Sequence, residues 1–453
     1  MTEVIKIKKG LDINLIGQAE KIYVKAPRAK TYAIKPPDWH GLTPKIIPKL
    51  CDTVKVGTPI FFDKYHPEIK FTSPVSGILL SINRGERRRI IEVVVEDDGK
   101  DTAETFLNGD PANLKKEQII ENLLNSGLWP MIRQRPYSVI ARPNTTPKSI
   151  FISAFDTSPL APDFDFILKE MEEDFQWGVN VLRRLTEGKV HLNLDGRTPS
   201  VKTLSNIQGV EINRFQGPHP AGNVGIQIHK LDPINKGEIV WVVRPQDVVA
   251  IGRLFKTGKY DPSVVVALTG SRVVKPQYYK TIRGGAVAPI LENQIKEGEN
   301  RVISGNVLQG RQIDPETGYV GFFSSQITVI PEGNNYEMFG WLKPGFNKFS
   351  ISRSFASTWL LPHRSYDLDT NLHGGKRAFV MTGDYEKVVP MDIYPMQLLK
   401  SILVNDIDKM EQLGIYEVDE EDLALCEVIC TSKTPVTKIL RDGLRSIRKE
   451  MEE

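Results

Sequence analysis

Leu50-Cys51-Asp52-Thr53-Val54-Lys55-Val56-Gly57-Thr58-Pro59-Ile60-Phe61-Phe62-Asp63-Lys64 and, beyond a polar gap, Phe71-Thr72-Ser73-Pro74-Val75-Ser76-Gly77-Ile78-Leu79-Leu80-Ser81-Ile82-Asn83 decide the fold of the N-terminal part of this chain. Strand-type apolar runs alternate there with Gly, Pro, Asn and Asp at turn spacing. That pattern predicts a compact set of hairpins. The β-rich region covers residues 1–100 and closes at the polar turn Asp97-Asp98-Gly99-Lys100-Asp101.

The hairpin set resembles a lipoyl/biotinyl-like barrel-sandwich module, which carries no active site of its own. Lys64 lies where such a module would bear a modified lysine. However, Phe62-Asp63-Lys64-Tyr65-His66-Pro67 lacks the Met-Lys-Met type of tip, and the expectation is an unmodified lysine.

Downstream, Glu117–Gly127 reads as a short helix stopped by glycine. From Ser138 the pattern becomes strand, helix, strand. Ser149–Ala154, Val190–Leu194 and Val264–Leu268 read as strands, and Asp247–Thr257 as a helix. Asp163–Gly188 reads as one long helix, with Phe164, Leu168, Met171, Phe175, Val179 and Leu182 on one face. Alternating strands and helices over residues 101–272 predict a Rossmann-like α/β domain. The Gly-x-Gly-x-x-Gly turn of a nucleotide site is missing, and Asp156-Thr157-Ser158-Pro159 follows the first strand instead. Residues 273–378 fit a small β-grasp (SLBB-like) domain around a helical stretch at Val287–Ile295, with a further β segment at Met338–Phe355. Residues 379–453 read as a C-terminal helical region. The last helix places Val436, Leu440, Leu444, Ile447 and Met451 on one side, and Arg441, Arg445, Arg448 and Lys449 largely elsewhere. Its basic side could meet anionic lipid or an acidic partner, or simply face solvent. The fold class is therefore multidomain, α/β and β.

A chain of 453 residues exceeds one hydrophobic core. Its 59 basic and 56 acidic residues nearly balance, which gives no case for nucleic acid as a partner. The longest apolar runs, such as Ile239–Val243, are strand-sized and far short of a membrane-spanning helix. The first residues carry no apolar signal-peptide core, so a cytoplasmic chain is expected, held at a membrane only through a partner. Three cysteines, Cys51, Cys426 and Cys430, are one too few for an iron–sulfur cluster. Cys426 and Cys430 share a helix face, but no further ligand lies near them, and buried thiols are expected rather than a metal site.

Two constellations carry candidate chemistry. Gly217–Gly225 and His229 form a loop-like cluster in which His219 and His229 flank Gly222 and Gly225. Exposed backbone N–H groups and imidazoles suit an anion or cofactor site, and a structural turn is the other open reading. Trp39, His40, Trp129, Met131 and Tyr137 supply the apolar walls and the donor that a quinone head group needs; packing at a domain junction is the plainer alternative. The Arg283-Gly284-Gly285-Ala286 stretch reads as a β-turn.

The same residues carry a family resemblance. Ile5–Asp12, Lys70–Gly77, Asn83–Gly85, Ala154–Ala161, Gly217–Gly222, Glu297–Gly305, Phe339–Trp341, Asn347–Ser350 and Asp419–Cys426 resemble, in order, the A-type subunit of the bacterial Na⁺-translocating NADH:quinone oxidoreductase (Na⁺-NQR). The resemblance implies a peripheral cytoplasmic subunit of a six-subunit membrane complex that oxidises NADH, reduces quinone and exports Na⁺. It implies quinone, either ubiquinone or menaquinone, as substrate. It also implies flavins, iron–sulfur centres and the NADH reaction in partner subunits, with no catalytic residue, metal or bound cofactor in this chain. Two other readings stand beside it. One is a stand-alone flavin- or NAD-dependent oxidoreductase using the Gly217–His229 segment, and the other is a ligand-free assembly scaffold.

Overall fold

In the computed structural model, which describes residues 4–197, 203–334, 338–342, 345–346, 348–352, 354–361 and 364–452, the turn residues of the opening stretch separate short strands that fold back on one another. Strands β1 (Val4–Lys6) and β2 (Glu20–Lys25) precede the module and leave it for other sheets. The module proper is built from β3 (Thr31–Ile34), β4 (Pro44–Ile46), β5 (Thr53–Val54), β6 (Pro59–Asp63), β7 (Lys70–Thr72), β8 (Gly77–Arg84) and β9 (Ile90–Asp97). They form two antiparallel sheets, ordered β3-β9-β8-β5 and β4-β6-β7. Ile60, Phe61, Val75, Leu79, Val93 and Val95 are fully buried between them. Gly77, with φ 155°, opens β8 so close to β9 that a Cβ would overlap the carbonyl oxygen of Glu96.

The α/β layer follows, with α1 (Lys116–Ser126), β10 (Arg133–Arg135), β11 (Val139–Ile140), β12 (Ser149–Ser153), α2 (Phe164–Ile167), α3 (Glu172–Arg183), β13 (Lys189–Asp195), β14 (Glu211–Gln216), α4 (Val224–Leu231), β15 (Val240–Val242) and α5 (Pro245–Thr257). Its sheet runs β1-β14-β13-β12-β15-β10-β11. The first five are parallel, and the β10–β11 edge is antiparallel. The chain moves outward from β12 to β13 and β14, then returns through α4 to β15 on the other side of β12. This reversal makes the gap between β12 and β15 the switch point of the sheet.

Two expectations change here. Asp163–Gly188 is not one helix: α2 ends at Ile167, Glu170 takes φ 71°, and α3 starts at Glu172 with Glu172, Glu173 and Asp174 in its first turn, where the helix dipole favours acids. The apolar stripe survives the break, since Leu168, Phe175, Val179 and Leu182 are all fully buried. Each such side chain contributes about 1.5–3 kcal/mol over leaving it exposed. The run Val264–Leu268 does form a strand, but in another sheet. It lies in β16 (Ser263–Thr269), which pairs antiparallel with β17 (Gln277–Ile282).

That mixed sheet is ordered β19-β18-β20-β16-β17-β2, with β18 (Asn300–Ser304), β19 (Arg311–Ile313) and β20 (Gln326–Pro331). Its helix α6 is only Ala288–Leu291, shorter than Val287–Ile295, because Asn293 adopts φ 57°. No strand occurs among the described residues of Met338–Phe355. Gly340–Leu342 is a 3-10 turn, and the hydroxyls of Ser350, Ser352 and Ser354 bond to one another. Lys343, Pro344, Asn347 and Arg353 lie outside the described residues.

Helices α7 (Ala356–Leu360), α8 (Tyr385–Val388), α9 (Pro395–Leu403), α10 (Ile407–Gln412), α11 (Glu420–Ile429) and α12 (Val436–Glu452) complete the fold. Val436, Leu440, Leu444 and Ile447 bury the inner face of α12, while Met451 is exposed. Arg441 departs from the expected solvent-facing basic side: it is buried, and its Nη2 donates to Asp419 Oδ1 at 2.8 Å. Among the described residues no helix is long and apolar enough to cross a membrane.

Candidate functional site

A cleft of about 230 Å³ opens at the switch point, at the carboxyl ends of β12 and β15. Beyond β12 the chain runs Ala154-Phe155-Asp156-Thr157, and beyond β15 it runs Val243-Arg244 into Pro245, the first residue of α5. Loops of the six-stranded mixed sheet close the opposite wall with Asn306, Phe323 and Ser324. Two guanidiniums line the cleft and lie over one ring. The Arg133 and Arg244 Cζ atoms are 5.3 Å and 5.0 Å from the centroid of Phe323. Burial, reinforced by neighbouring Arg133, pushes the Arg244 guanidinium down to about 10, which leaves it cationic at neutral pH.

The structure splits the Gly217–His229 cluster. It is not a loop throughout, because α4 begins at Val224. His219 and Gly222 line the cleft. The backbone N–H of Leu11 donates to the His219 carbonyl at 2.8 Å, and that of His219 to Asp12 Oδ1 at 2.9 Å, so the N-terminal segment fixes this residue. A Cβ on Gly222 would sit 2.6 Å from the Thr157 backbone nitrogen, so only glycine allows the approach. Gly225 is inside α4, where a side chain would overlap the Asp422 carboxylate. His229 is outside the cleft, its Nδ1 2.6 Å from Glu417 Oε2 and its Nε2 accepting the Asp392 N–H at 3.0 Å.

Of the five aromatic and sulfur candidates, Trp39, Trp129 and Met131 share one buried core. Trp39 packs on Phe71, Phe322 and Phe323 and so stands behind the Phe323 wall of the cleft; its indole N–H donates to the Pro130 carbonyl at 3.0 Å. Trp129 packs edge-on against Trp241 and donates to the Ala141 carbonyl at 2.7 Å. His40 and Tyr137 lie elsewhere, on the rim of a charged hub. The His40 Nε2 is 3.2 Å from Glu420 Oε2, and the Tyr137 carbonyl accepts from Arg441 Nη1 at 2.8 Å. Trp39→Phe is expected to cost about 1–2 kcal/mol by leaving the Pro130 carbonyl without its donor. Chemical denaturation of the purified chain measures this cost.

The hub is the acidic start of α11. Asp419 faces Arg135 and Arg441, Glu420 faces His40 and Arg441, and Glu421 and Asp422 both face Arg135. Burial opposes ionisation of Asp419, but the two arginines outweigh it and hold its carboxyl below the usual range. Burial pushes the Asp422 carboxyl up against the pull of Arg135, with Glu421 and Asp419 reinforcing the rise.

Lys64 follows β6 in a turn, its Nζ 5.5 Å over the Tyr65 ring. Cys426 and Cys430 are buried in the helical region. Among the described residues no group of three or more His, Cys, Asp or Glu side chains is placed to hold a metal ion. Arg133, Arg244 and Phe323 escaped sequence reasoning. The available signal was Arg244 between a strand and the proline opening a helix, and it acquires meaning only once the strand order is known.

These features define a multidomain α/β chain: a barrel-sandwich module, a parallel sheet whose switch-point cleft is walled by a small mixed sheet, and a helical tail. The sequence family described as the NqrA N-terminal barrel-sandwich hybrid domain matches residues 5–98, the NqrA second alpha/beta domain residues 114–260, and the NQRA C-terminal domain residues 265–314. The A-type subunit of the Na⁺-translocating NADH-quinone reductase of Saccharophagus degradans is 40% identical over 449 residues, 98% of this chain and 100% of that protein. The protein of the same name from Neisseria meningitidis is 41% identical over 451 residues, again 98% of this chain and 100% of the relative. A chain of an air-oxidised NAD⁺-reducing [NiFe]-hydrogenase superposes at a TM-score of 0.41 and 10% identity, over 76% of this chain and 63%, under two thirds, of that one. The chain belongs to the NqrA family, the A-type subunits of the Na⁺-translocating NADH-quinone reductases, which are sodium-transporting oxidoreductase complexes.

Proposed function

We propose that this chain is a peripheral subunit on the cytoplasmic face of the bacterial inner membrane, contributing to quinone binding and to assembly of a six-subunit Na⁺-pumping NADH:quinone reductase. In this reading, hydride transfer from NADH and electron relay through flavins and iron–sulfur centres belong to partner subunits, and this chain holds no redox cofactor. Ubiquinone or menaquinone is a substrate. The observation that carries the reading is the end-to-end correspondence with relatives named as the A-type subunit, covering 98% of this chain and 100% of theirs. The cysteine count supports the cofactor assignment, since three thiols cannot complete a four-thiolate cluster. A run of exposed apolar side chains, Met338, Phe339, Leu342, Phe346 and Leu360, supports docking on the membrane subunits.

Among the quinone candidates, the indole N–H groups of Trp39 and Trp129 are already committed to carbonyls, and Met131 is sealed in the core. This reading keeps His40 and Tyr137, on the rim of the hub, as its candidates for the quinone-proximal face. A complex reconstituted without this chain is expected to keep oxidising NADH with an artificial acceptor while losing quinone reduction, and adding the chain restores it. A photoreactive quinone analogue should label peptides bearing His40 or Tyr137 saturably. Quinone reduction that persists without the chain overturns the proposal, and absence of saturable labelling removes the quinone contact.

A further inference from the structure

The switch-point cleft holds a buried imidazole nitrogen with no hydrogen-bond partner among the described residues. Gly222 N–H donates to Thr157 Oγ1 at 2.9 Å, so the hydrogen of that hydroxyl is free to go to His219 Nδ1, 3.1 Å away. We take that hydroxyl as the donor of the pair, which puts the imidazole proton on Nε2. That atom is buried and has no hydrogen-bond partner among the described residues, in a residue only 3% exposed that lines the cleft. An orphaned buried donor is costly and marks a place where an acceptor is missing.

The cations beside it are also under-used. Among the described residues, neither Arg133 nor Arg244 has a carboxylate oxygen within ion-pair distance, and the one side-chain hydrogen bond of Arg133 is a long 3.4 Å contact to Ser138 Oγ. Two acids also line the cleft. Glu421 is engaged by Arg135 at 2.6 Å, and Asp156 Oδ1 accepts the Ser158 N–H at 2.7 Å. The two guanidiniums therefore share the cleft with one carboxylate, Asp156, that is not already engaged by another arginine. Arginine stacked on an aromatic ring keeps its planar N–H edge available for a planar or tetrahedral oxyanion. The cleft also occupies the position, outside the carboxyl ends of the strands at a switch point, where open α/β sheets take their ligands.

From this convergence we infer that the cleft binds an oxyanion, a phosphate or carboxylate group of a small molecule, held by Arg133 and Arg244 and capped by the Nε2–H of His219. About 230 Å³ accommodates such a group with a few attached atoms. This site is separate from the quinone-proximal face around His40, and either can fail without the other.

The test uses the purified full chain and two probes, inorganic phosphate and malonate, against chloride at matched ionic strength. Saturable binding by calorimetry is expected for at least one of them. Arg244→Gln should weaken it by about tenfold or more through loss of a charge-assisted bond, whereas Arg87→Gln, on an exposed turn of the module, should leave it unchanged. Tighter phosphate assigns a phosphoryl ligand, and tighter malonate a carboxylate one. In the wild-type chain, where folding is not in question, the His219 ring resonance in a histidine-labelled NMR spectrum should move with the bound anion and ignore chloride. Absence of saturable binding by both probes, full affinity in Arg244→Gln, or a static His219 resonance at saturation overturns the inference.

Discussion

Arg135→Met is expected to destabilise the chain by about 3–5 kcal/mol, the cost of stripping the partner from buried charges. Arg135 is 2% exposed and sits at the end of β10, with Nη1 3.2 Å from Asp422 Oδ2 and Nη2 2.6 Å from Glu421 Oε1 and 3.3 Å from Asp419 Oδ2. Its partners do not suffer equally. Glu421 is partly exposed and can turn to water, and Asp419 keeps Arg441 at 2.8 Å. Asp422 has no exposed side-chain surface and loses its only cation within ion-pair distance among the described residues. Its second oxygen already lacks a hydrogen-bond partner among the described residues. Most of the loss therefore resides in that carboxylate, and Arg135→Met combined with Asp422→Asn should recover a substantial part of it. Calorimetry of the single and double variants gives the comparison. A single variant as stable as the wild type, or a double variant no better than the single, would refute this assignment.

The weight on Arg135 follows from what the hub joins. Its basic side chains come from the module (His40), the antiparallel edge of the α/β sheet (Arg135) and the last helix (Arg441), and its acids all come from the start of α11. One helix terminus thus ties three parts of the chain together, with the helix dipole favouring the negative charges. Glu421 also reaches the rim of the cleft, so a disturbed hub would alter the charge facing Arg244.

The local features of this architecture were legible in the sequence because they depend on neighbours. Gly127 stops α1 in the left-handed conformation at φ 74°, as its place after an apolar-periodic run predicts. The strands of the opening stretch are separated by their own Pro and Gly residues. Long-range pairing left no such trace. Val4–Lys6 pairs in parallel with Arg214–Gln216, and nothing in three residues announces a partner so far along the chain. Val264–Leu268 is an apolar run that suits either sheet equally well. The break at Glu170 was masked because the same face is buried on both sides of it. For the site, His219 and Gly222 stood out as a Pro- and Gly-rich cluster, whereas Arg133 and Arg244 become neighbours only through the strand order. Arg441 lies next to Leu440 on α12, one residue off the apolar stripe, and its burial is intelligible only with Asp419 and Glu420 opposite.

Gly252→Val tests a contact that no periodicity reveals. Helices α3 and α5 cross at two glycines: a Cβ on Gly252 would overlap the carbonyl oxygen of Asp174, and one on Gly178 that of Val248. The obstacles are backbone atoms, so rotamer changes cannot relieve them and the helices must separate. Separation would loosen Phe175, Val179, Val248 and Ile251, all fully buried, and stretch the Arg253 to Asp174 bond of 2.8 Å. Ordinary overpacking costs about 1–3 kcal/mol, and a branched side chain driven into fixed backbone belongs at or above ~3 kcal/mol. Gly375→Ala, where a Cβ meets nothing within 4 Å, should stay within about 0.5 kcal/mol of the wild type. Because α5 begins at Arg244 and Pro245, the shift should reach the cleft, so Gly252→Val should also weaken oxyanion binding well below its unfolding temperature. Denaturation and calorimetric binding on the same preparation check both effects, and a Gly252→Val chain within about 1 kcal/mol of the wild type by denaturation would refute the glycine crossing as a fixed contact, since overpacking of this kind costs at least that much.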